Sequence, residues 1–132
     1  MKLDLIPTKF SIDSGAPEPR VEYSDNELII SFNVLSKENE SNSRRSCIIP
    51  FCIYYSAGLP NDESLLFHPY YEYGLRSSEF FEVINSELIL KLEGVEKKHP
   101  YYSSEYWKMY RHFIISFKDI MIEFIAKDYY FE

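Results

Sequence analysis

Glycine is scarce in this chain: four in 132 residues, at 15, 58, 74 and 94, each isolated. A loop that cradles phosphate needs clustered glycines, so that backbone N–H groups can close on the anion. The chain has no Walker A loop and no G-x-G-x-x-G, and a nucleotide site of that kind is not expected. H-E-x-x-H and G-x-S-x-G are missing as well, which removes the zinc-peptidase helix and the strand–turn–helix serine hydrolase. The three histidines, His68, His99 and His112, form no close ligand pair. No metal and no cofactor are called for.

Cysteine is scarcer still. Cys47 and Cys52 are the only two, and five positions along one strand would place them on opposite faces. No disulfide is expected between them. Cations are sparse too: 14 Lys and Arg stand against 21 Asp and Glu, a formal charge of −7, with adjacent pairs only at Arg44-Arg45 and Lys97-Lys98. Nucleic-acid binding draws on clustered cations, so no nucleic-acid partner is expected. No apolar run approaches the length that spans a bilayer, and Met1–Pro7 lacks a signal-peptide core. These features lead us to expect a soluble, reduced, cytoplasmic protein with no membrane partner.

Aromatic residues are what the chain has in abundance: 12 Tyr, 10 Phe and one Trp. Aromatic and β-branched residues favour strands. A chain of this length supports one domain over 1–132 with one core. Strands are expected near 3–12, around Val21 and Tyr23, over 27–35 and over 47–56, with Pro50 forcing an edge or a bulge. Ser24-Asp25-Asn26 suits a hairpin turn. The polar stretch 36–46 is expected to be a loop. Residues 80–84 suit strand or helix. Ser86 is a good N-cap, Glu87 suits a first turn and Gly94 suits a C′ position, so a short helix is expected over 86–93. Residues 97–104 are expected to form a loop.

The last apolar stretch, 110–126, is the clearest signal. Two arms rich in Ile and Phe flank Lys118-Asp119 and predict a C-terminal hairpin. With a two-residue loop, Phe117 faces Ile120, Ile115 faces Ile122 and Phe113 faces Phe124, giving one apolar core face. The other face then carries His112 diagonal to Glu123, which permits a His–carboxylate pair. His112, Asp119 and Glu123 are therefore the candidate polar site, with no catalytic residue assigned. The simpler role for such a pair is to brace the sheet, and the simpler role for Asp119 is to shape the turn. The expected class is α+β: a mainly antiparallel sheet, one or two short helices and that hairpin.

His-Pro-Tyr-Tyr occurs twice, at 68–71 and 99–102, and Ser-Ser-Glu plus two aromatics follows each, at 77–81 and 103–107. Tyr70, Tyr71, Tyr101 and Tyr102 are candidate interaction aromatics, since tyrosine packs its ring and keeps a polar tip wet.

Residues 80–126 resemble a loose set of small, uncharacterised bacterial proteins. The shared features are Asn85-Ser86, a downstream His99, and Arg111, His112, Phe113, Ile115, Phe117, Asp119 and Glu123. The resemblance implies an α+β fold on an antiparallel sheet and no activity.

The functional expectation is a non-enzymatic protein-interaction module, with an immunity-type inhibitor of a toxin as its concrete form. An acidic surface fits capture of a basic protein, and nothing forbids a homodimer. The alternative is a small-ligand-binding protein or hydrolase-like enzyme with a pocket around His112 and Glu123.

Overall fold

The computed structural model describes residues 1–36 and 42–132. The architecture is α+β, mostly antiparallel sheet with two short helices. Strands β1 (Lys2–Leu5), β7 (Phe80–Ile84), β8 (Arg111–Ser116), β9 (Met121–Ala126) and β6 (Tyr54–Gly58) form the first sheet, in the order β1-β7-β8-β9-β6. The second sheet has β10 (Tyr130–Phe131), β5 (Asn42–Ile49) and β4 (Glu27–Ser36) in order. Both β2 (Phe10–Ile12) and β3 (Arg20–Ser24) pair along the far side of β4. All pairings are antiparallel.

Period-two patterning drives the packing of one sheet on the other. Leu28, Ile30, Phe32 and Val34 of β4 are buried, while Ile29, Ser31 and Asn33 between them are less so. They meet Phe80, Phe113, Ile115, Phe117, Ile122 and Phe124 of the first sheet in one apolar cluster. The terminal hairpin has the expected register: Phe113 faces Phe124, Ile115 faces Ile122 and Phe117 N donates to Ile120 O at 2.9 Å. The β3–β4 turn places Asp25 and Asn26 at φ 51° and 63°. That double left-handed turn suits the strand twist, and Asp and Asn tolerate it.

Several boundaries differ from the sequence expectation. The stretch 47–56 is not one strand. A turn at Pro50-Phe51, with Phe51 at φ 52°, ends β5 and sends β6 to the other sheet. Cys47 and Cys52 are unjoined, as expected, but both sit in the same core cluster. The expected loop 36–46 is partly strand. Residues 37–41 lie outside the described residues, but Asn42–Ser46 belongs to β5, where Arg44 donates to Asn33 Oδ1 at 3.0 Å and to the Glu18 carbonyl at 2.8 Å. A polar strand on the solvent face of a sheet reads as a loop when its partner is unknown. The stretch 3–12 splits at Pro7 into two strands of different sheets.

The outer face of the first sheet is covered by 3-10 turns at Leu65–Phe67 and Pro69–Tyr73 and by α1 (Glu87–Glu96). Helix α1 starts where Ser86 predicts but runs through Gly94, which is inside the helix and not its C′ residue. A second short helix, α2 (Ser104–Trp107), replaces the end of the expected 97–104 loop and is capped by Ser103.

Candidate functional site

His112 sits on the outer face of β8, opposite Val83 of β7 and Ile125 of β9. With the N-terminus of α1 docked over it, it is 0% exposed. A buried imidazole needs partners for both nitrogens. Nε2 lies 3.0 Å from Glu123 Oε2, and Nδ1 lies 2.7 Å from Ser86 Oγ. The Ser86 oxygen also accepts from the Ile89 N–H at 3.1 Å, which caps α1. With the Glu123 carboxylate accepting, Nε2–H donates, Nδ1 accepts the Ser86 hydroxyl proton, and the remaining serine lone pairs face the helix. Among the described residues, no buried side-chain nitrogen or oxygen lacks a partner.

The structure thus brings His112 and Glu123 together and adds Ser86. It leaves Asp119 exposed in the hairpin loop, outside the cluster. Ser86 is legible in the sequence as a helix cap. Its second partner is 26 residues away and follows only from docking α1 on the sheet. Glu123 also projects its charge toward His68 and Tyr70. Burial lowers the pKa of His68, and the nearby Glu123 charge partly opposes that. Burial, then Glu123, raises that of Tyr70.

A groove of about 340 Å³ reaches Ser86 between α1 and the Arg111 end of β8. Arg111 makes two 2.9 Å hydrogen bonds to Glu82 across its wall. That pairing, ahead of the opposing effect of burial, raises the Arg111 pKa. Neither His112 nor Glu123 lines this groove. A cleft of about 410 Å³ opens instead between the two sheets beside Phe10, Phe80 and Phe131. Burial pushes the thiol pKa values of Cys47 and Cys52 up, which makes poor nucleophiles of both.

The repeated His-Pro-Tyr-Tyr has one local structure. In each copy the histidine Nδ1 accepts from the N–H two residues on, at 3.0 Å for Tyr70 and 3.1 Å for Tyr101. In each copy its carbonyl accepts from the third residue, at 2.9 Å for Tyr71 and 3.0 Å for Tyr102. Histidine here acts as a cap and proline fixes the first turn. The second half of the echo diverges: 77–81 leads into β7, whereas 103–107 forms α2. Of the candidate aromatics, Tyr70 packs on the outer-face cluster, Tyr71 lies under Arg76, Tyr102 donates to Glu93, and Tyr101 is 87% exposed.

Helix α1 is half apolar, yet none of its ten residues is buried. Val95 is 71% exposed and Leu90 65%. Ile53, Leu92, Val95, Tyr106, Trp107 and Tyr110, with Glu96 at its edge, line a shallow, mostly apolar groove of about 350 Å³ between α1, α2 and the start of β6. Lys127 reaches over the Tyr106 ring at 3.8 Å and braces this aromatic set. Burial, then the hydrogen bond that Tyr110 donates to Tyr106, pushes the Tyr110 pKa up to about 12.

No protein-family model matches the chain, nor does any curated protein or solved structure.

Proposed function

We propose that this protein is a non-enzymatic interaction module that docks a protein partner on the α1–α2 surface. The observation that carries the reading is α1 itself: a half-apolar helix with no fully buried residue, bordered by exposed and half-buried aromatic side chains. Exposed apolar surface of this kind marks an interaction site, and Tyr and Trp are the residues that anchor interfaces. The net charge of −7 favours attraction of a basic partner at long range. An immunity-type inhibitor of a toxin is the concrete form.

The test is calorimetric titration with the purified product of the adjoining reading frame, where that encodes a toxin. Val95→Lys should weaken binding about tenfold or more, because it buries a cation in an apolar contact, while the fold melts as before. Equal affinity of the wild-type and Val95→Lys proteins would remove this surface from the interface.

One observation favours a second reading. Ser86, His112 and Glu123 stand in the hydroxyl–imidazole–carboxylate order of a hydrolytic site. Two features weigh for structure: the Ser86 oxygen is already engaged by Ile89 N–H, and the ring is wholly buried. A fluorophosphonate probe separates the readings. The interaction reading expects no adduct on Ser86; labelling that His112→Ala abolishes would establish the hydrolase.

A further inference from the structure

Among the described residues the sheets present several free edges, and all but one carry a device against pairing. Short strands, charges and ion pairs on an edge discourage a foreign strand. Strand β10 has two residues and β2 has three. Strand β1 carries a Lys2–Asp4 ion pair at 3.3 Å, and β3 carries Arg20 and Glu22 at 3.5 Å. Strand β6 is different. It has five residues, Tyr54 to Gly58, its centre is exposed, and no charged residue occurs from Phe51 to Asn61. Among the described residues it pairs with β9 alone, on one side.

We propose that β6 pairs with β6 of a second copy of this chain, antiparallel about a two-fold axis at Ser56. The sequence is complementary to itself in that register. Tyr54 meets Gly58, Tyr55 meets Ala57, and Ser56 meets Ser56, so each ring faces a small residue. An aromatic ring across from a strand glycine compensates for the missing side chain. Space for it exists, since no atom lies within 4 Å of where a Gly58 Cβ would stand. One position further out, Ile53 (41% exposed) meets Leu59 (83% exposed). The two copies each carry −7, yet the strip that joins them is uncharged, so repulsion is least there. The contact is isologous and closes at two chains, giving one sheet across both.

The pairing borders the α1–α2 groove at Ile53, but its test uses residues outside that groove. Sedimentation velocity of the intact protein at rising concentration should show a species of twice the 15.7 kDa chain mass. Ala57→Lys and Ser56→Lys should each hold the protein as a monomer with an unchanged melting temperature. If one of them misfolds, the other decides. Ser56→Cys should give a disulfide-linked dimer on mild oxidation. Opposed residues in an antiparallel pair stand about 4.5–5.5 Å apart at Cα, within reach of a disulfide. A monomer at every concentration would overturn the proposal. So would a dimer that survives Ala57→Lys and Ser56→Lys, or one that Val95→Lys abolishes.

Discussion

The two faces of the β1-β7-β8-β9-β6 sheet are built to different rules. The inner face is apolar along β8 and β9 and closes against a second sheet through stacked and tilted rings. Phe32 of the second sheet lies 5.3 Å from Phe117, and Phe113 stacks on Phe124 at 5.1 Å within the first. The outer face mixes Ile114 and Met121 with His112, Ser116 and Glu123. Its cover is two 3-10 turns and a helix whose residues are at most half-buried. The inner face holds the fold; the outer face fixes α1 at one polar point and presents the rest. A buried polar relay costs more than an apolar core unless every member is satisfied, and here every member is.

The largest effect should come from the inner face. Phe117→Ala removes a fully buried ring and should cost about 3–5 kcal/mol in urea denaturation. A cost below about 1 kcal/mol would erase the distinction between the faces. Next comes the polar point. Ser86→Ala strands His112 Nδ1 in the interior and removes the α1 cap. It should cost about 1–3 kcal/mol for the unpaired nitrogen. Amide exchange at Ile89 should rise with it.

A smaller effect concerns His68. Its Nδ1 accepts the Tyr70 N–H only while unprotonated, and its pKa is lowered in the fold, by burial first. The unfolded chain therefore binds the proton more readily. That contribution is complete above the ordinary histidine pKa of about 6.5 and is lost as pH falls through the lower folded value. His68→Asn keeps a capping acceptor that does not titrate and should flatten the stability profile in that window. A slope unchanged by the substitution would refute the link. Smallest of all, Val95→Lys on the outer surface should change stability by less than about 0.5 kcal/mol.

How much of this was legible follows the same division. The hairpin register, Phe113, Ile115, Phe117, Ile122 and Phe124 in the core, and His112 beside Glu123 all follow from alternation and a short loop, which are local signals. The cap at Ser86 was legible for the same reason. Its bond to His112 was not, because it depends on where a helix lands. The chain's switch between sheets at Pro50-Phe51 was also hidden, since an apolar run with one proline reads as a single bulged strand. Polar Asn42–Ser46 was hidden because its partner β4 supplies the order, not its own residues. The repeated His-Pro-Tyr-Tyr carried a real local signal, a histidine-capped turn, that composition alone does not reveal.

Native-state hydrogen exchange tests the contrast between the faces most directly. Exchange reports the free energy of the opening that exposes each amide. Amides of β8 and β9 such as Phe113 and Phe124 should exchange only through global unfolding. Amides of α1 from Leu90 to Glu96 should exchange through local opening at clearly lower free energy. Protection of α1 equal to that of β8 would contradict that contrast, and would make the helix part of the core and not a presented surface.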